Sequence, residues 1–304
     1  MSTLAETRPS TAIPVQQRNI VSRFFRAGRG DSPFKRLLIH LTLIFSCVIA
    51  AYPILRVISV SLRPGDRLLS TSLAIIPPDA TLNAYRTVIF DKALPLWLWN
   101  SLVITVTTAI IGVIIASTGA YAFSRWKFPG RAPGLIFLLT TQMVPAAMLM
   151  VPLYILAARL NMINSYRGLA LAYSVTSVPF SIWILKGYYD TIPIDLEEAA
   201  MIDGASKLAT FYRIILPLST PALVIVFLFN FMSAWNDYLF SRIILQKAEV
   251  FTWTLGLYSL AGQFTTEWGN FAASSILIMV PVVVLFLYSS KYLISGLTLG
   301  AVKG

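Results

Sequence analysis

The sequence predicts an all-α, polytopic membrane protein with six transmembrane helices, and three observations predict it. Of 304 residues, 57% are hydrophobic and only 12% charged, whereas soluble domains carry about 25% charged residues. Uncharged windows recur at 37–55, 101–123, 134–158, 168–185, 214–236 and 268–290. Each approaches or exceeds the roughly 18–20 residues that cross a hydrocarbon core about 30 Å thick. With the N-terminus inside, fifteen of the 24 Lys and Arg residues fall in cytoplasmic segments and nine in longer outer ones, as the positive-inside rule requires. The net charge of +11 therefore needs no nucleic-acid partner. Both termini and the 186–217 connection are expected in the cytoplasm.

Residues 1–36 are polar, with Pro9, Pro14, Gly28 and Gly30, and are expected to form a disordered basic tail near anionic headgroups. No cleavable signal precedes residue 37, so the first span is expected to act as its own insertion signal. It holds the single cysteine, Cys47, and the single histidine, His40. One of each leaves neither a disulfide nor a metal cluster. Cys47 reads as a small core residue and His40 as a polar group near the inner interface. The outer segment that follows has turn signals at Pro64-Gly65-Asp66 and Pro77-Pro78-Asp79. It closes on Trp97 and Trp99, whose indoles suit the membrane interface.

The second span carries Gly112, Ser117, Gly119 and Ala120, small residues that let helices approach. Span three contains Gln142, Pro145 and Pro152, so two backbone hydrogen bonds are lost within one crossing. Pro179 lies in span four. Span five, from about 216 to 236, holds Pro221 and a polar set, Asn230, Ser233 and Asp237, at one-face helical spacing. With Gln142, these are candidates to line a polar path. Residues 250–266 are polar enough to predict a loop, and the last span runs near 269–290.

Between spans four and five lies a charged, helix-forming connection, 186–215. Asp195 fits an N-cap and Glu198 the N3 position of a capping box. Glu197 and Glu198 complement the helix dipole. Gly204 fits a left-handed C-terminal position, and Ser206 can cap a second helix. In that second helix Leu208, Phe211, Tyr212 and Ile215 repeat at helical spacing. Ala199 and Ala200 keep the first helix narrow enough to enter a cleft in another protein.

The spacing here is Glu198-Ala199-Ala200, three residues, Gly204, nine residues, then Ile214-x-Leu216-Pro217. Seven specified positions agree by chance at about 10⁻⁷ or less per start. This loop resembles the EAA motif of importer permeases of the ATP-binding-cassette family. Asn100-Ser101, Ala120-Tyr121-Ala122-Phe123 through Phe128-Pro129-Gly130, and the final Gly300-Ala301-Val302-Lys303-Gly304 extend the resemblance over roughly residues 34–304. They are similar to the carbohydrate branch, most of all to maltose/maltodextrin (MalG-type) permeases.

That resemblance implies a type I importer permease in a bacterial or archaeal-type plasma (inner) membrane. It implies a second permease subunit, two ATPase subunits and an extracytoplasmic sugar-binding protein as partners. It also implies ATPase coupling through Glu198, Ala199, Ala200, Asp203, Gly204 and the tail at Lys303, with the outer loop near 256–267 facing the binding protein. The chain has no phosphate-loop motif and no Gly-Lys dipeptide, so ATP and Mg are expected on the ATPase subunits and no cofactor on this chain. The rival readings are a secondary transporter, which would favour intramembrane acids or bases, and the same machinery carrying glycerol-phosphate, an amino sugar or an amino acid. A phosphate-bearing cargo would want Arg or Lys in the path; the spans hold none, which favours a neutral sugar.

Overall fold

A computed structural model describes residues 32–66, 68, 74–261 and 266–301. The expectations for the tail at 1–31, for Lys303 and for the loop tip at 262–265 lie outside the described residues. The chain divides into two compact units, Met1–Arg56 and Val57–Gly304.

The described part of the first unit is most of helix α1, Pro33–Ser61. Its Leu37, Leu41, Ile44, Phe45 and Val48 are exposed, as is Cys47, which corrects its reading as a core residue. A helix apolar all round marks no face as inward, so sequence alone had no basis for burying it. His40 bonds within its own helix, Nδ1 lying 2.6 Å from the Arg36 carbonyl.

The second unit is built on α2 (Leu94–Arg125), α5 (Tyr166–Tyr189), α8 (Thr220–Trp235) and α11 (Trp268–Ala301). Helix α2 packs along α5 and α8, and its small residues make that possible. A Cβ on Gly112 would stand 2.6 Å from Asn230 Nδ2 on α8, and one on Gly119 would stand 3.3 Å from Ile182 Cδ1 on α5.

Among the described residues, four helices are long and apolar enough to cross a membrane. Two more crossings are bent pairs: α3 (Arg131–Thr141) with α4 (Ala146–Arg159), bent by 101°, and α7 (Lys207–Leu218) with α8, bent by 77°. Both breaks have a proline cause. Val144 precedes Pro145, whose ring disfavours the helical region for the residue before it, and Pro145 itself adopts ψ 134° as the cap of α4. Pro152, the other proline of this span, stays inside α4, so the break falls at only one of the two. In α7 the turn Phe211–Ile215 widens to a π turn, Leu216 N bonding the Phe211 carbonyl. That widening accommodates Pro217, which has no N–H to continue the ladder. Pro221 then restarts the chain near the first position of α8, where its fixed φ suits a helix start.

Two expectations are corrected at the far end. Residues 253–260 form a helix, α10 (Trp253–Leu260), because Leu255 and Leu260 find apolar partners and are buried. The Trp97 indole is turned into the protein and not outward: it is buried against Gly256, where an added Cβ would come within 2.0 Å of the indole. Trp99, two residues on, is exposed.

Candidate functional site: the α6 hairpin and its seat

Helix α5 ends at Tyr189, and the turn through Ile192 and Pro193 leads into α6, Asp195–Ile202. The cap differs from the expected capping box. Ile194 is the N-cap, with no side-chain capping bond, and Asp195 is the first helical residue. The first-turn donors Glu197 N and Glu198 N both reach the Ile194 carbonyl, at 2.8 and 3.1 Å, so no side chain is needed there. The acids still occupy the first turn, where the helix dipole favours them.

The C-terminal turn follows expectation. Gly204 has φ +84°, its N–H donates to the Met201 carbonyl at 3.1 Å, and Ala205 N–H donates to the Ala200 carbonyl at 2.9 Å. This pair of bonds is a Schellman closure around a left-handed glycine. Ser206 caps α7, accepting from Ala209 N at 3.2 Å. Of the apolar repeat in α7, Phe211 and Ile215 are buried while Leu208 and Tyr212 are exposed. The π turn alters the angular step between residues, so the four do not share one face.

One side of α6 is turned outward: Ile194, Leu196, Met201 and Ile202, the last 87% exposed, with Glu198 and Ala199 among them. Ala200, expected on the narrow outer side, is buried. The inner side is held by polar contacts that sequence reading missed. Glu197 is only 6% exposed. Tyr121 donates its hydroxyl to Glu197 Oε2 at 2.7 Å, and Arg125 Nε donates to Oε1 at 2.5 Å. Another Arg125 nitrogen donates to the Ile192 carbonyl at 3.0 Å, and a third reaches Ser124 Oγ at 3.2 Å. Ser124 in turn donates to Asp190 Oδ1 at 2.6 Å, while Lys186 Nζ lies 2.5 Å from Asp190 Oδ2.

Partial burial alone would raise the Asp190 pKa, but hydrogen bonds from Lys186 and Ser124, with the charges of Lys186 and Arg131, hold it below the ordinary carboxylate range. The Tyr121 ring packs on Phe211 of α7 at 4.7 Å, on Trp126 at 5.6 Å and on Tyr189 of α5 at 6.3 Å. Glu197 is thus fastened where α2, α5 and α7 meet. A cleft beside it is lined by Arg125, Trp126, Glu198, Met201 and Lys207. The missed signal was Tyr121 and Arg125 at i and i+4, which places both on one face of α2.

No hydrogen bond joins the four path candidates to one another among the described residues; three of them bond to α5 between Tyr173 and Ser181. Asn230 is buried, its Oδ1 accepting from Ser181 Oγ at 2.9 Å. Ser233 is exposed. Asp237 lies beyond the end of α8 at Trp235, so it no longer continues the helical face; it accepts from Tyr173 Oη at 3.0 Å and Ser241 N at 3.1 Å. Burial raises the Asp237 pKa, against hydrogen bonds from Ser241, Tyr173 and Phe240 that lower it. Gln142 is exposed at the α3–α4 break and donates to the Thr176 carbonyl at 3.1 Å. Among the described residues, no group of three or more metal-ligating side chains converges.

Comparison with known proteins agrees with this architecture. Residues 108–298 match the family described as binding-protein-dependent transport system inner membrane component. The galactooligosaccharides transport system permease protein GanQ of Bacillus subtilis is 38% identical over 88% of this chain and 95% of its own length. The maltose/maltodextrin permease MalG of Salmonella typhimurium is 35% identical over 88% and 96%. The trehalose/maltose permease MalG of Thermococcus litoralis is 36% identical over 90% and 99%. A crystal structure of a bacterial ABC transporter involved in importing the acidic polysaccharide alginate superposes with a TM-score of 0.76 at 24% identity, covering 88% of this chain and 99% of that one; this likeness speaks to the fold alone. With the broken crossings, the EAA loop and these matches together, the chain belongs to the binding-protein-dependent transport system inner membrane components, a family of multi-pass permease subunits.

Proposed function

We propose that this chain is one of two related permease subunits of an ATP-driven importer of neutral di- or oligosaccharides. The observation that carries the reading is the two-sidedness of α6. Its inner side is locked to the bundle through Glu197, and its outer side presents Ile202, Met201, Leu196 and a Glu198 side chain with no hydrogen bond or ion pair among the described residues. A helix of this length is not stable alone in water, and such an apolar, acid-edged knob suits a groove in a soluble subunit.

In this reading α6 lies in the cytoplasm and sits in one of two ATPases, with Glu198 facing a basic group there. Closure of the ATPase pair on ATP and Mg moves α6, and the bent α7–α8 unit beyond Gly204 tilts, switching access across the membrane. The chain itself performs no hydrolysis and holds no cofactor. Lys303 contributes a second contact to the ATPase, and the loop that includes α10 meets an extracytoplasmic sugar-binding protein. A sugar cargo is supported by the permeases it resembles and by the absence of basic residues from the apolar windows.

The test is affinity capture of the chain from membranes together with sugar uptake. An ATPase should copurify, and a panel of di- and oligosaccharides should stimulate its activity in the reconstituted complex. Glu198→Lys and Gly204→Asp should remain in the membrane and abolish uptake. Normal uptake by both variants, or no ATPase in the captured complex, rules the reading out.

A further inference from the structure

We infer that Glu197, Arg125 and Tyr121 form a positioning pin that makes α6 move as one body with the end of α2, so that displacement of the hairpin is delivered to the membrane helices. This rests on the import reading for its consequence, but the pin itself is a property of this chain. Its components meet from two elements, Glu197 from α6 and Tyr121 and Arg125 from the end of α2. Both carboxylate oxygens of Glu197 are taken, by Tyr121 and Arg125, and both ends of the ion pair are 9% exposed. Arg125 also holds the Ile192 carbonyl, which lies in the turn leading into α6.

The need for a pin follows from how α6 is otherwise attached. On one side the chain passes through the turn at Pro193, on the other through Gly204, where an added Cβ would meet nothing within 4 Å. Among the described residues the Gly204 turn has only backbone bonds, and the turn at Ile192 is braced by Arg125 itself, so without the pin neither connection would transmit much torque. A second neighbouring carboxylate, Glu198, points outward and has no hydrogen bond or ion pair among the described residues. The consecutive acids therefore divide the work: Glu198 faces the partner, and Glu197 faces the bundle. A buried ion pair is costly to desolvate and is weak evidence for stability; a fixed geometry at a force-bearing joint is a use that fits it.

The experiment has two arms. In the full-length chain, on a Cys47→Ser background, spin labels at Ala199→Cys and Ile115→Cys report the α6–α2 separation. The parent should give one narrow distance distribution. Glu197→Gln and Arg125→Met should broaden it, Tyr121→Phe should broaden it less, and Arg125→Lys should restore part of the sharpness. Identical narrow distributions in the parent, Glu197→Gln and Tyr121→Phe would overturn the pin.

The second arm measures uptake per copy in the membrane alongside ATPase capture. Glu197→Gln should still capture the ATPase, while uptake falls roughly tenfold. Captured ATPase with undiminished uptake would overturn the positioning role and leave the import reading standing. A parent chain that captures no ATPase sinks the import reading, and the label distributions then decide the pin alone.

Discussion

The α6 end of the bundle and the end that carries α10 each hold a charged pair, but they differ in what holds the connecting segment. At the α6 end charged side chains bond one another: Arg125 with Glu197, Lys186 with Asp190. At the α10 end Lys92 pairs with Glu267 at 2.9 Å, and most of the holding is done by side chains that bond the backbone of the connecting segment. Asn100 Nδ2 donates to the carbonyls of Glu249 and Phe251 at 3.0 and 2.9 Å, and its Oδ1 accepts from Tyr166 Oη at 2.5 Å. Ser101 Oγ accepts from Trp253 N at 2.8 Å, and Asn164 Oδ1 from the amides of Gln246 and Lys247. Bonds to backbone tie down a whole segment whatever side chains it carries. Bonds between charged side chains fix a few atoms and leave the rest of α6 outward. The first arrangement fixes a segment to its own subunit; the second fixes α6 at one side and leaves the other free for the partner contact proposed above.

Substitutions should expose this contrast. The largest effect is expected from Glu197→Ala, which strands the buried Arg125 guanidinium and should lower stability by about 3–5 kcal/mol. The paired change Glu197→Met with Arg125→Met should recover most of that loss in thermal unfolding of the purified chain. If the double variant is no more stable than the single, the charges are not the cause.

At the other end Asn100→Ala removes a neutral group and leaves two backbone carbonyls and a tyrosine hydroxyl unsatisfied, a loss of about 1–3 kcal/mol. Hydrogen exchange should speed up over residues 245–260 and stay unchanged in α6. Spread of the effect into α6 would show that the two ends are not separately fastened.

Glycines sharpen the same comparison. Gly168→Ala would set a Cβ 2.2 Å from the Met162 carbonyl, and overpacking of this kind costs about 1–3 kcal/mol. Gly187, exposed near the α6 end of α5, has nothing within 4 Å of an added Cβ. Gly187→Ala should stabilise by up to about 1 kcal/mol. Paired melting curves read both signs.

The smallest effect is in pH. Asp190 is held below its ordinary pKa, so its contribution is fully present above the ordinary carboxylate range and is lost as pH falls through the lowered value. Asp237 is raised; its ionisation opposes folding, and acidification through the raised value relieves that. Moderate acid should therefore tighten the Asp237 region before it loosens the Asp190 clamp, followed by hydrogen exchange across pH. Asp237→Asn should abolish the first change and Asp190→Asn the second.

How much of this was legible in the chain depends on the distance between interacting residues. The crossings, the break-prone prolines and the Glu198-to-Gly204 hairpin are local, and α6 closes on Gly204 with φ +84° as its spacing implies. The roles of Glu197, Trp97 and Cys47 were not legible. Glu197 and Glu198 are chemically the same and adjacent, yet one is buried and one exposed. Trp97 and Trp99 divide in the same way.

The sequence by itself determined that the chain is helical and membrane-spanning, where its apolar helices run, and which loop carries the EAA spacing. Those are matters of composition, turn chemistry and short-range spacing, which act within a few residues. Tertiary structure decided which acid is pinned and which is presented, that residues 253–260 are helical, and that Asn230, Asp237 and Gln142 each bond to α5. Each of these depends on what a distant segment brings alongside, as Arg125 and Tyr121 are brought to Glu197 from more than seventy residues away.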